Sequence, residues 1–170
     1  MGSIGEVVGK TIKRIDSGSI EAEAIYEADA SGDMGETISK IRIRNHSFAS
    51  DVNTALGGKD HAPCPAEYLL GALAACIRTS YVIHASLMEV DFESIEVRVS
   101  GMGDRRGTFG LDEKIPSGFQ KLEYKITIAT GEPEEKIKKL LEFVDRHCHV
   151  LNTLRRPLNM KGQFELKSVA

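Results

Sequence analysis

Three cysteines, Cys64, Cys76 and Cys148, are the side chains of this sequence with the most chemistry to offer, and His61, His147 and His149 stand close to two of them. A thiol reacts as its anion, and near neutral pH the anion needs a positive charge or hydrogen-bond donors beside it. Cys76 is the first candidate. It lies in a helical series with Leu69, Leu73, Ser80, Ile83 and Leu87, all within about 60° of it at 100° per residue, while Ala72, Ala74 and Ala75 leave room for another backbone to pack closely. Taken alone, such a cysteine is a small buried hydrophobe. Cys148 ends the series Ile137, Leu141, Val144, Cys148, and so continues a buried stripe. Its place near a helix terminus between His147 and His149 argues for an accessible, redox-competent thiol. His61-x-x-Cys64 and His147-Cys148-His149 contain zinc-ligand types. No CxxC pair occurs, however, and three adjacent residues cannot all face one ion from a regular helix, so no metal is expected.

The elements that must position these residues are legible as changes of period. Residues 20–26 and 38–44 alternate apolar and polar side chains, as half-buried strands do, with turn formers at 30–36 and 56–64. Residues 65–90 form a long helix opened by Pro65, with enough small and apolar residues to be buried on more than one side. Alternation returns at Ile95, Val97 and Val99 and at Leu122, Tyr124, Ile126 and Ile128, around a glycine-rich excursion over 101–118 with room for a short helix. Pro133, Glu132, Glu134 and Glu135 announce a second helix reaching Cys148, and residues 162–169, with Phe164 and Leu166 alternating against charges, read as a last strand. The order of elements indicates an α+β domain with helices on an antiparallel sheet.

Size and composition bound the rest. The 170 residues suit one domain over 1–170, and 41% apolar with 28% charged residues is ordinary for a globular chain. A net charge of -3, with cations scattered among acids, offers no field for phosphates, so nucleic acid is not an expected partner, and because no stretch approaches the roughly 20 apolar residues that span a bilayer, neither is a membrane. The first residues lack a cationic start and an apolar core, which makes the cytoplasm the expected location, and in that reducing compartment a structural disulfide framework is not expected.

The segment Pro65-Ala66-Glu67-Tyr68-Leu69-Leu70-Gly71-Ala72-Leu73-Ala74-Ala75-Cys76 resembles the first signature of the OsmC/Ohr family of small, dimeric, cysteine-based peroxidases. In that signature a proline-acid start leads into a small-residue helix ending at the peroxidatic cysteine. His147-Cys148-His149-Val150-Leu151-Asn152-Thr153-Leu154-Arg155-Arg156-Pro157 resembles the second, a cysteine followed by a short apolar, Asn/Thr-rich turn. Tyr81-Val82-Ile83-His84-Ala85 and the 101–118 stretch are similar to an OsmC-like branch with a longer central insertion, and the resemblance extends over residues 35–168.

The resemblance implies an antiparallel sheet around a long buried central helix in an intertwined homodimer. It also implies a thiol-dependent peroxidase that reduces organic hydroperoxides, with a thiol or dithiol reductant as partner and no cofactor. Cys76 would become the sulfenic acid and Cys148 would resolve it. Glu67 resembles the acid that pairs with an arginine near the thiolate. It stands nine residues before Cys76, about 180° round a straight helix, so either the helix starts later or Glu67 serves a site shared across the dimer. Two positions depart from the pattern: His149 stands where the family has proline, and the loop 52–63 has no arginine, which leaves Arg42 and Arg44 on the preceding strand as its replacements. The competing reading is a non-catalytic OsmC-like dimer that holds a thiol or apolar ligand in the same pocket.

Overall fold

The computed structural model describes residues 3–167. Its chain order is α1 (Ile4–Asp16), β1 (Asp29–Ser31), β2 (Ser39–Ile43), β3 (His46–Ser50), α2 (Pro65–Leu87), β4 (Ser94–Gly103), α3 (Arg105–Thr108), β5 (Phe119–Ala129), α4 (Glu134–His147) and α5 (His149–Arg155). The class is α+β as expected, with two antiparallel sheets in place of one: β1-β2-β3 and β4-β5.

Helix α2 is the element on which the core is assembled. Pro65 occupies its first turn, where the missing amide costs nothing, and the Glu67 carboxylate accepts from the Cys64 amide (2.7 Å) to close the start. Leu73, Ile77, Tyr81 and Ala85, four residues apart, are its buried face. They form one buried cluster with Leu140, Val144, Cys148 and Leu151 of the α4–α5 region and with Val90 and Ile95. The buried stripe is therefore turned by about one residue from the expected Leu69-Leu73-Cys76-Ser80 line. Cys76 lies at its margin and Leu69 stays exposed. By length and composition α2 could cross a bilayer, but in this α+β fold β4, α4 and α5 pack against it.

The strands behind α2 follow the expected alternation. β4 and β5 pair with Ile95 opposite Ile128 and Val97 opposite Ile126, and this apolar face packs on α2. Gly101 lets the Phe119 ring lie close over the strand, since a Cβ there would meet the ring at 2.6 Å and push it aside. The 101–118 excursion holds the one-turn α3, capped by the Asp104 carboxylate, which accepts from the Arg106 amide (2.9 Å).

Three regions differ from the sequence reading. Residues 4–16 form a helix that the sequence reading, which placed strands at 20–26 and 38–44, passed over. Its signal is the capping box in which the Ser3 hydroxyl accepts from the Glu6 amide (3.3 Å) and Glu6 accepts from the Ser3 amide (2.9 Å). Gly5 lets α1 touch α2, donating its amide to Ser86 Oγ (2.7 Å) where a Cβ would collide. Residues 20–26 are irregular, with Ile25 91% and Tyr26 81% exposed. Residues 162–167 are likewise irregular, whereas Ser168 and Val169, the end of that expected strand, lie outside the described residues. Alternation gives a strand only where a neighbour completes the ladder, and neither segment has one among the described residues.

Candidate functional site

Helix α4 ends and α5 begins at a single residue, Cys148, whose extended backbone (φ -67°, ψ 117°) makes the corner. Its amide donates to Val144 O (2.8 Å), closing α4, and its carbonyl accepts from the Asn152 amide (3.0 Å), opening α5. The corner faces the middle of α2. The Cys148 thiol donates to Cys76 Sγ across 3.6 Å, and the Val150 amide, in the first turn of α5, donates to the same sulfur across 3.4 Å. Among the described residues, no lysine or arginine side chain donates to either sulfur. Cys76 thus has two donors aimed at it and is half-buried, whereas Cys148 is fully buried at 0% exposure.

That burial corrects the expectation that Cys148 is accessible. The apolar stripe of α4 carries its side chain under the corner instead of out past it, so the helix end exposes His147 and His149 and not the thiol. Burial pushes the Cys148 thiol up from its ordinary value, the neighbouring Cys76 adds to this, and the Leu151 amide and the Ser80 hydroxyl partly offset it. The two sulfurs are therefore unlike. Cys148 is fully buried and donates across the gap, whereas Cys76 is half-buried and accepts from both the Cys148 thiol and the Val150 amide.

Around this pair, Tyr81 packs into the core one turn beyond Ile77, and burial pushes its hydroxyl well above the usual phenol range, so it stays protonated. The His147 ring stacks on Phe143 (centroids 4.2 Å), with Nδ1 on Phe143 O (2.7 Å), and His149 tilts against Tyr26 (5.9 Å). Neither histidine bonds to a sulfur. Among the described residues, no group of three or more His, Cys, Asp or Glu side chains converges on a point that could hold a metal ion.

The other residues singled out in the sequence stand elsewhere in the chain. Helix α2 is unbroken from Pro65, so Glu67 faces away from Cys76 and about 13.5 Å along the axis from it. Of the two alternatives, the later helix start is removed. Glu67 lies instead in an apolar cleft of about 740 Å³ with Leu69, Leu70, Arg105 and Phe119. Arg42 on β2 is paired with Asp29 of β1 (2.8 Å), and Arg44 occupies the two-residue β2–β3 turn at φ 54°. Within one chain, then, Cys76 and Cys148 meet, and Glu67, Arg42 and Arg44 do not join them.

Asp51 is a feature that the sequence reading missed. Only 2% exposed, its carboxylate accepts from the Thr37 hydroxyl (2.6 Å) and from the amides of Val52 (2.8 Å), Lys59 (3.1 Å) and His61 (3.2 Å). These bonds, led by that from Thr37, hold its carboxyl well below the usual range and tie down the arginine-free loop 52–63. No spacing rule announces such an acceptor, because three of its four donors are backbone amides.

Comparison with known proteins agrees with this architecture. Residues 57–161 match the model of the OsmC family, described as OsmC-like protein, and the chain belongs to that family. The OsmC-like protein of Mycoplasma pneumoniae has the same fold, with a TM-score of 0.66 at 20% identity over 78% of this chain and 89% of that one. The organic hydroperoxide resistance protein OsmC of Legionella pneumophila follows at 0.57 and 17% identity, over 79% of this chain and 92% of that one. An osmotic stress induced and detoxification response protein of Psychrobacter arcticus 273-4 gives 0.60 at 18% identity, over 79% and 91%. No curated protein sequence matches significantly. At such identities the likeness is one of fold, and the chemistry must be argued from the sulfurs.

Proposed function

We propose that this protein is a thiol-dependent peroxidase that reduces organic hydroperoxides through Cys76, with Cys148 as the resolving thiol. The observation that carries this reading is the 3.6 Å separation of two chemically unlike sulfurs. A Cys76 thiolate attacks the distal peroxide oxygen and the O–O bond breaks. The alcohol leaves once its oxygen takes a proton, and Cys76 becomes a sulfenic acid. Cys148 then gives up its proton as its sulfur attacks Cys76, water leaves, and a Cys76–Cys148 disulfide remains for an external thiol or dithiol to reduce. The Val150 amide and the Cys148 thiol supply the donors that favour the thiolate, a role that hydrogen bonds to the charged form can take in place of a cation. The hydroperoxide resistance named for the Legionella relative agrees with this chemistry.

In this reading a second copy of the chain covers the exposed Leu69 side of α2 and brings Glu67, with Arg42 or Arg44, to the partner's Cys76. Sedimentation at micromolar concentration is expected to give a dimer, and a monomer would remove Glu67, Arg42 and Arg44 from the site. The function itself is tested by a coupled assay with a dithiol reductant, comparing an organic hydroperoxide with hydrogen peroxide. Turnover with faster consumption of the organic substrate is expected. Failure to consume either, in protein whose two thiols are free, would favour the ligand-binding reading.

A further inference from the structure

The corner that carries Cys148 is spanned by a polar network of side chains from α4, α5 and β5. Arg155, at the end of α5, forks onto Asp145 in the last turn of α4, Nη2 to Oδ1 at 2.7 Å and Nη1 to Oδ2 at 2.9 Å. Its Nη1 also donates to Asp145 O (3.2 Å) and its Nη2 to Tyr124 Oη (3.3 Å). The Tyr124 hydroxyl, on β5, donates in turn to Asp145 Oδ1 (3.1 Å), and Asn152 Nδ2 donates to the carbonyls of Asp145 (3.1 Å) and Cys148 (2.9 Å). Asp145 lies three residues before Cys148 and Arg155 seven after it, so the fork spans the corner and the tyrosine pins it to the sheet.

We propose that Asp145, Arg155 and Tyr124 are positioning residues for disulfide closure: they set the α4–α5 corner so that Cys148 Sγ and the Val150 amide are held against Cys76. Closure from 3.6 Å to a disulfide of about 2.05 Å needs a small local approach, and its probability depends on how far the corner otherwise wanders. Val144 and Leu151, buried on either side of the corner, anchor the two helices in the core. The fork adds a directional constraint on the angle between them, because it bonds the two helix ends to each other in a fixed plane. An exposed ion pair is ordinarily worth little, but this one is bidentate, joined to a third residue, and only 42% and 46% exposed at Arg155 and Asp145. The Arg155 guanidinium accordingly holds the Asp145 carboxyl below its usual range.

The inference rests on the Cys76–Cys148 redox pair of the proposed function, but its test needs no peroxide. Full-length protein is equilibrated in buffers of reduced and oxidised glutathione. The fractions of free thiols, of Cys76–glutathione mixed disulfide and of Cys76–Cys148 disulfide are then read by mass spectrometry, each closure oxidising two protein thiols and converting one oxidised glutathione to two reduced. Arg155→Gln and Asp145→Asn are expected to lower the effective concentration of Cys148 by about fivefold to tenfold, as loss of a charge-assisted bond would. The double variant should be no worse than the poorer single one, with Arg155→Lys in between. Closure at the wild-type level in both single variants would overturn the proposal. If the charge variants fail to fold, Tyr124→Phe decides it, since that variant removes one hydroxyl: about a twofold loss is expected, and no loss overturns the proposal. A wild type that closes normally yet consumes no hydroperoxide would end the peroxidase reading and leave the positioning role standing.

Discussion

Cys76→Ser is expected to lower hydroperoxide reduction by roughly a thousandfold or more, because a serine hydroxyl ionises far too weakly to replace a thiolate as the nucleophile. The substitution is mild for the fold. Cys76 sits at the margin of the buried stripe of α2, and a hydroxyl there can accept from the Val150 amide as the sulfur does. A lost activity with an unchanged melting curve therefore reports chemistry and not unfolding. The measurement is the coupled assay at saturating reductant, run beside Cys64→Ser. Cys64 caps the start of α2, far along the helix from the sulfur pair, so its substitution should leave turnover intact. Turnover in Cys76→Ser within a few-fold of wild type would end the assignment of Cys76 as the attacking group.

The second large effect falls on Cys148. Without it the first equivalent of peroxide is still consumed, but the sulfenic acid then has no thiol within reach, and steady turnover should fall at least about tenfold as resolution becomes bimolecular. Mass spectrometry after one equivalent should find a Cys76–Cys148 bond in wild type. In Cys148→Ser it should find instead a sulfenic acid that goes on to sulfinic acid with excess peroxide. Wild type with both thiols free after the same treatment would contradict the resolving role. Burial complicates the choice of residue, since a hydroxyl at a fully buried position costs about 1–3 kcal/mol unless it is bonded. Cys148→Ala, which buries no polar atom, is the companion variant, and both should give the same redox outcome. Because the Cys148 thiol also donates to Cys76, both variants should slow the first step modestly as well.

Much of this protein was legible along the chain. Pro65 with the alanine-rich run after it marks the start and course of α2, the proline and acids at 132–135 mark α4, and alternation marks β4 and β5. These signals are local, being set by backbone propensity and by the period of a face, and a single strand of sequence contains them whole. The family was legible for a related reason: its two cysteine signatures are contiguous, and each can be recognised without knowing what it touches.

What tertiary structure alone decided is what each face meets. Periodicity found the apolar side of α2, but the helices laid against it turned the buried line onto Leu73, Ile77, Tyr81 and Ala85 and left Cys76 at the margin. Residues 20–26 and 162–167 have the alternation of strands and no ladder to join, because pairing is a property of two segments and the pattern belongs to one. The asymmetry of the sulfurs has the same origin. In sequence Cys148 reads as the more accessible thiol, whereas the sharp corner between α4 and α5 buries it, leaves Cys76 exposed in part, and aims the Val150 amide at Cys76 from 74 positions along the chain. The network of Asp145, Arg155 and Tyr124 that braces this corner was equally hidden, since its three side chains come from two helices and a strand and acquire a common purpose only when folding brings them together.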